Sequence, residues 1–221
     1  MSTPNMIHAA RRYLDQARDA LGARHRDMRD RLDELERLDA NLRNTAASVR
    51  ADERLAPTAK RDDLHTAASE YREAAQQVIT ELQQTINDAK AELRHRLTLP
   101  ALDGDDPQGR LTNARADAVM VLDRTPDDRL AQALETLARD PGDIGHLMLS
   151  GFAERYLQAR QHNSAAAQWQ TARDTILAER LGDGAKAALA RLDGLQHARS
   201  ATTLVEHHAH HTANDAGEGS V

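Results

Sequence analysis

The fold is decided by residues 7–49, which read IHAARRYLDQARDALGARHRDMRDRLDELERLDANLRNTAASV. Apolar side chains recur here at every seventh position, and they are Ile7, Leu14, Leu21, Met28, Leu35, Leu42 and Val49. Such a row keeps one face of a helix only if the helix supercoils left-handedly around a partner, so it predicts a coiled-coil seam. With Gly22 as the single helix breaker before Pro57, the stretch predicts one helix of about 50 residues.

The companion row of this seam is weaker. Three positions after each member of the first row come Ala10, Ala17, Arg24, Arg31, Leu38 and Thr45. Small and charged side chains at these positions weaken a leucine zipper and favour a partner that can satisfy the arginines.

A second long helix is predicted after Pro57, which suits a first helical turn. Its apolar residues repeat every eleven positions, which gives a nearly straight helix. If the chain reverses at Pro57, Leu42 lies opposite Tyr71 and Leu35 opposite Val78, so residues 1–97 are predicted to form an antiparallel hairpin. The partner seam is then Leu64, Tyr71, Val78, Leu82, Ile86 and Leu93.

The two ends of this hairpin do not match in length. Ile7 and Leu14 extend beyond the end of the second helix, and we therefore predict that they contact either another subunit or the C-terminal half of the chain, with the self-association surface of a homo-oligomer as the favoured role. The alternative is a parallel oligomer of the first helix alone, because heptads do not fix strand direction.

Residues 98–110 are rich in proline, glycine and aspartate and predict a hinge linker. Asp103, Asp105 and Asp106 do not form a calcium-binding EF-hand loop, because the twelfth position counted from Asp103 is Ala114 rather than glutamate.

Capping signals then predict five shorter helices near residues 111–123, 126–139, 141–161, 164–181 and 184–199. These helices predict a small domain over residues 111–199. Its predicted core includes Leu134, Leu147, Phe152, Tyr156, Trp169 and Ile176.

Residues 200–221 lose apolar periodicity and are predicted to be disordered. Four histidines lie in this segment, namely His207, His208, His210 and His211. Neighbouring histidines bind zinc or nickel adventitiously, but a mobile tail fixes no tetrahedral geometry, so no metal site or cofactor is predicted. The whole pattern predicts an all-α fold, with a long antiparallel helical hairpin or coiled-coil arm followed by a small bundle of short helices.

Composition supports this class of fold. Of the 221 residues, 2% are aromatic and 29% charged, and there is no cysteine. Residues 1–100 contain 17 Lys/Arg and 17 Asp/Glu, so the net charge of −6 falls entirely on residues 101–221. No stretch approaches the roughly 18 apolar residues of a membrane span, and no signal peptide is visible, which predicts a cytoplasmic protein without a membrane partner.

No enzyme signature is present. The chain lacks phosphate-loop, dinucleotide-binding, zinc-protease and nucleophile-elbow motifs, so a non-enzymatic role is predicted. A cluster of early arginines raises the alternative of weak nucleic-acid binding: Arg11, Arg12, Arg18, Arg24, Arg26, Arg29 and Arg31. Carboxylates alternate with these arginines, which favours a salt-bridged helix flank over a nucleic-acid site.

One stretch resembles a known group of proteins. Residues 130–147, LAQALETLARDPGDIGHL, with FAERYL at 152–157, look like the C-terminal part of small helical proteins encoded among the head genes of tailed bacteriophages. The resemblance implies head assembly, with internal scaffolding as one form, the major capsid protein as partner, and a place in the host cytoplasm or inside a procapsid.

The chain departs from this group in one respect. Many phage scaffolds contact the coat through a strongly basic C-terminal helix, whereas Lys186, Arg191, His197 and Arg199 make residues 184–199 only mildly basic. The alternative function is a coiled-coil adaptor or regulator that binds a protein partner through its acidic C-terminal domain.

Overall fold

The computed structural model describes residues 4–218, with the side chains of residues 6–217. This range is helical without any strand, which confirms the all-α prediction. The helices are α1 (Pro4–Gln16), α2 (Arg18–Leu21), α3 (Arg24–Ala51), α4 (Pro57–His95), α5 (Pro107–Leu122), α6 (Leu130–Ala138), α7 (Asp143–Leu147), α8 (Ala153–Ala159), α9 (Asn163–Leu181) and α10 (Asp183–Glu218). The described residues divide into two compact units, the first comprising 4–92 and 191–218 and the second comprising 93–190.

In the first unit, α3 and α4 run antiparallel. Three contacts set the register: Arg24 Nη1 lies 2.9 Å from Glu92 Oε2, Arg31 Nε lies 2.8 Å from Glu81 Oε2, and Lys60 Nζ donates to the carbonyl oxygen of Arg50 at 2.8 Å. Residues near the end of α3 therefore face residues near the start of α4. Supercoiling of the pair stays a prediction.

The prediction of one continuous helix from residue 7 to residue 49 is wrong. The chain breaks at Ala17 and again at Gly22, whose φ of 59° and ψ of −128° are accessible to glycine and strained for other residues. The chain turns back here, so that α1 lies against α3. Two contacts show this reversal: Arg11 pairs with Glu36 at 2.8 Å, and Asp15 pairs with His25 at 3.2 Å. The seven-residue row persists because each helix keeps its own apolar face on either side of the turn.

This reversal also overturns the predicted self-association surface. Ile7 is 4% exposed and Leu14 is 1% exposed, so both lie in the core of a single chain. Among the seven seam residues only Val49 is partly exposed.

The companion row in α3 differs from the predicted one. The buried positions of α3 alternate in steps of three and four, and they are His25, Met28, Leu32, Leu35, Asp39, Leu42 and Ala46. The row that accompanies Met28, Leu35 and Leu42 therefore contains His25 and Asp39 rather than Arg24 and Arg31. The predicted partner seam of α4, in contrast, is buried at every position, and it consists of Leu64, Tyr71, Val78, Leu82, Ile86 and Leu93. Of these, Leu93 belongs to the second unit.

The prediction of a disordered tail over residues 200–221 is wrong for its described part. Residues up to Glu218 continue α10, and residues 191–218 belong to the first unit. Mostly small side chains are buried along this segment, and they include Ala198, Ala201, Val205, Ala209, Ala213 and Ala216. Alanine favours helix and allows close packing, but a row of alanines between histidines carries little apolar signal in the sequence.

The second unit contains α5 to α9 and the first residues of α10. Its predicted core residues Leu134, Leu147, Phe152, Trp169 and Ile176 are buried, whereas Tyr156 is partly exposed. The predicted domain of residues 111–199 begins later than the second unit, which starts at Leu93. It also ends too late, because residues 191–199 belong to the first unit. The predicted single helix over 141–161 is interrupted by a π-type turn at Met148–Phe152, where Gly151 has φ 96°.

Candidate functional site

A cluster of buried polar side chains joins three helices of the first unit. Asp39 of α3 accepts a hydrogen bond from the Tyr71 hydroxyl of α4 at 2.6 Å, and its other carboxylate oxygen contacts Nε2 of His208 in α10. Thr212 Oγ1 lies 3.5 Å from the same histidine nitrogen. This Asp39 cluster places a carboxylate, a phenol and an imidazole together.

Burial sets the chemistry of the Asp39 cluster. The pKa of Tyr71 is raised, first because burial disfavours the phenolate and second because the hydroxyl donates to Asp39. Asp39 and Tyr71 are each 4% exposed and His208 is fully buried. The contacts of these buried groups join α3, α4 and α10 and act to fix their alignment.

The sequence did not reveal the Asp39 cluster, because its members are far apart along the chain. Asp39 and His208 are separated by 169 positions, and His208 was assigned to a tail without structure. Within residues 4–218 no three His, Cys, Asp or Glu side chains are grouped so that they could hold a metal ion. His210 instead contacts the amide nitrogen of Asn214 at 3.1 Å.

The early arginines are engaged in ion pairs. Beyond the pairs of Arg11, Arg24 and Arg31, Arg29 Nη1 lies 3.4 Å from Asp15 and Arg18 Nη2 lies 3.8 Å from the same carboxylate. Five of the seven predicted members thus contact carboxylates, namely Arg11, Arg18, Arg24, Arg29 and Arg31. This arrangement favours the salt-bridged flank over a phosphate-binding surface.

The second unit contains an open groove between α5 and α8. Its volume is about 490 Å³, which falls within the range of roughly 300–1,000 Å³ that ligand pockets occupy. Leu147, Phe152, Val119 and Leu111 supply apolar lining, and Thr112, Arg115, Arg155 and Tyr156 line it as well. We call this feature the α5–α8 groove.

Side-chain contacts fix the start of α5 and join this helix to α7. Asp106 caps α5 by accepting a hydrogen bond from the Gly109 backbone N–H at 3.0 Å, and Pro107 occupies the first turn. Arg110 Nε donates to Asp143 Oδ2 at 2.8 Å and so joins α5 to α7. The guanidinium lowers the pKa of Asp143. Of the three aspartates in the predicted hinge, Asp106 thus serves as a helix cap.

The walls of the α5–α8 groove carry positive charge. The Arg115 guanidinium lies 5.8 Å from the centroid of the Phe152 ring. Neither Arg115 nor Arg155 takes part in an ion pair with any of residues 6–217. Arg160, at the far end of α8, is neutralised by Asp123 at 2.6 Å, and Asp123 also accepts the Tyr156 hydroxyl at 2.8 Å.

A second exposed feature lies on another face of α5. Met120 is 50% exposed and Val121 is 44% exposed, and among large apolar residues of the described range only Tyr13 is also classed as exposed. Asp117 lies one helical turn before them, is exposed, and forms no ion pair within the described part of the chain. We call Asp117, Met120 and Val121 the α5 ridge.

Sequence reasoning missed both features of α5. It placed Phe152 and Tyr156 in the core, and Tyr156 proves to line the α5–α8 groove with part of its surface exposed. A usable signal was the four-residue spacing of Leu111, Arg115 and Val119, which puts these side chains on one face of α5.

Comparison with known proteins finds no matching family model, no matching curated protein and no matching solved structure. Within residues 4–218 there is no helix with the length and apolar character needed to cross a membrane.

Proposed function

We propose that this protein is a non-enzymatic assembly protein that acts in the head assembly of a tailed bacteriophage, by associating with itself and contacting the major capsid protein. The observation that carries the proposal is the exposed surface of α5, where an apolar pair and an open charged groove lie on one helix of a compact unit. Exposed apolar side chains beside a concave surface are typical of protein–protein contact sites.

The Asp39 cluster supports a structural role for the first unit. Its titratable groups resemble those of an acid–base site, but all of them are sealed from solvent and satisfied by one another. A general acid or base must reach the proton that it transfers, which buried groups between packed helices cannot do. The cluster therefore favours stabilisation of the bundle over catalysis.

The phage component of the proposal rests on the resemblance of residues 130–147 and 152–157 to helical head proteins. In the structure these residues form α6, α7 and most of α8, and four of them line the α5–α8 groove, namely Leu147, Phe152, Arg155 and Tyr156. Localisation follows the same proposal, namely the host cytoplasm before assembly and the procapsid interior during it.

An adaptor that binds a cellular protein is the second candidate. It is favoured by the two arginines of the groove, which suit an acidic partner segment. This differs from the sequence-based alternative, in which the C-terminal domain was to bind through its own acidic charge.

Co-expression with the major capsid protein of the same genome tests head assembly. We expect closed shells of uniform diameter when both proteins are present, and aberrant or fewer shells when the capsid protein is expressed alone. Electron microscopy and sedimentation measure shell size and yield. Equal yield and diameter without this protein would refute the proposal.

A further inference from the structure

The α5 ridge is an exposed apolar pair, whereas the α5–α8 groove is a concave surface with an apolar lining, so the two surfaces can fit together. We propose that copies of this chain associate head to tail, so that the α5 ridge of one copy enters the α5–α8 groove of the next. The inference rests on the self-association in the proposed function and names the surfaces that produce it. It replaces the predicted tip at Ile7 and Leu14, which is buried within one chain.

The two surfaces match in chemistry. The ridge offers the apolar side chains of Met120 and Val121, and the groove offers an apolar lining that includes Leu147 and Phe152. The ridge also carries the Asp117 carboxylate at its start, one turn before the apolar pair and two turns from the exposed Arg124 that follows α5, while the groove carries two guanidinium groups without an ion pair in the described range. Contact between copies would bury the apolar pair and pair Asp117 with an arginine.

The placement of the surfaces on α5 excludes contact of the ridge with its own groove. Val119 faces the groove and Val121 belongs to the ridge, and two residues along an α-helix correspond to a rotation of about 200°. A ridge therefore points away from the groove beside it. Each copy keeps one donor surface and one acceptor surface.

Association of this kind is heterologous. When two different surfaces join, the rotation either closes into a ring or continues as an open chain, unlike a twofold dimer that stops at two copies. Growth by repeated weak contacts suits a protein that assembles and later releases. Because the patch is small, we expect a Kd weaker than about 1 µM for one contact.

Mass measurement of the full chain gives the first test. We expect the weight-average mass from sedimentation equilibrium to begin at the monomer mass of 24.4 kDa and to rise with concentration beyond that of a dimer. A mass that stays at the monomer up to millimolar concentration would overturn the proposal and would leave the groove to a different protein. A mass that stops at the dimer would overturn it as well.

Two complementary variants give the sharper test. Met120→Asp with Val121→Asp removes the ridge and leaves the groove, whereas Thr112→Glu with Arg155→Glu reverses the charge of the groove and leaves the ridge. Each variant alone should remain monomeric over the same concentrations, with at least about a tenfold weaker association. Mixed together, they should form a one-to-one dimer and nothing larger, because one intact ridge meets one intact groove.

Matched controls come from exposed residues outside both surfaces. Gln132→Asp and Arg129→Glu change charge on exposed side chains of the same unit and should leave association as in the parent chain. Circular dichroism and the emission of the buried Trp169 check that every variant is folded. Failure of the two variants to combine, with folding intact, would refute the head-to-tail contact.

The outcome separates this inference from the proposed function. If the capsid protein forms uniform shells only with this protein, and the chain is nevertheless monomeric, head assembly stands and the α5 contact is wrong. If the chain forms head-to-tail oligomers but shells do not depend on it, the contact stands and head assembly is wrong.

Discussion

Asp39 connects three helices of the first unit through buried polar contacts. A carboxylate in a helical core is costly to bury unless its oxygens are satisfied. Tyr71 and His208 satisfy it from two other helices. Removal of one partner leaves a buried group with a hydrogen bond missing, and this costs more than the bond itself contributes.

Replacing Tyr71 by phenylalanine is therefore expected to destabilise the first unit by about 1–3 kcal/mol. Urea unfolding followed by circular dichroism measures this change. Trp169, the sole tryptophan, lies in the second unit, so its emission reports that unit separately. Tyr13→Phe is the matched control, because Tyr13 is exposed, and its expected change is less than about 0.5 kcal/mol. Equal stability of Tyr71→Phe and Tyr13→Phe would contradict the role of the Asp39 cluster.

The same phenol makes stability dependent on alkaline pH. The pKa of Tyr71 is raised in the folded state, so folded protein holds this proton where unfolded protein loses it, above about pH 10. Its contribution to stability is complete below that pH and decreases as the pH rises. The difference in unfolding free energy between the parent chain and Tyr71→Phe should shrink between pH 9 and pH 11. A difference that is constant over this range would argue against a buried, protonated Tyr71.

At the scale of secondary-structure elements, the C-terminal part of α10 packs into the first unit. Its residues 191–218 carry small side chains that approach their neighbours closely. A Cβ atom built on Gly194 would lie 2.9 Å from the Cβ of Ala20, whereas a Cβ on Gly184 meets no atom within 4 Å. These two glycines of one helix therefore distinguish a position in close contact with a neighbouring side chain from a position with open space beside it.

Gly194→Ala is expected to destabilise the first unit by about 1–3 kcal/mol, because overpacking outweighs the higher helix propensity of alanine. Gly184→Ala is expected to be neutral or to stabilise by up to about 1 kcal/mol. Thermal and urea unfolding followed by circular dichroism compare the two variants. If Gly194→Ala stabilises as much as Gly184→Ala, α10 does not pack against Ala20.

The sequence predicted elements with local signals and missed those that depend on distant partners. Proline and capping signals predicted that short helices follow the linker, although α7 and α8 were merged into one helix, and an eleven-residue row gave the buried face of α4. The turn at Gly22 was missed because a heptad row does not show whether one helix or two carry it. The segment 200–218 was missed because its buried face is mostly alanine.

The candidate surfaces were less predictable than the helices. Arg115 and Arg155 line one groove only because the fold of the second unit brings α5 and α8 to its two sides, and nothing in either helix alone indicates that arrangement. The exposure of Met120 and Val121 likewise depends on which face of α5 the second unit covers. An apolar pair in a short helix predicts burial by default.

At the scale of the whole molecule, the proposed self-association lies on α5 rather than on the N-terminal seam. The heptad residues serve the interior of one chain, and in the proposed contact the exposed apolar pair of α5 meets another copy. Each added copy would bind through the same contact between its α5 ridge and the α5–α8 groove of its neighbour, so many copies could join through one type of interface. Because the proposed contact includes an ion pair between Asp117 and an arginine of the groove, association should weaken as the salt concentration rises.

Disulfide formation between two single-cysteine chains tests this contact most directly, because the natural sequence contains no cysteine. Chains with Val121→Cys on the ridge and Thr112→Cys in the groove are mixed and oxidised mildly, and Gln132→Cys with Thr112→Cys serves as the control pair. We predict that mixed Val121–Thr112 disulfides greatly exceed both homodimers and the control product in mass spectrometry. Mixed disulfides no more abundant than those of the control pair would contradict head-to-tail association through α5.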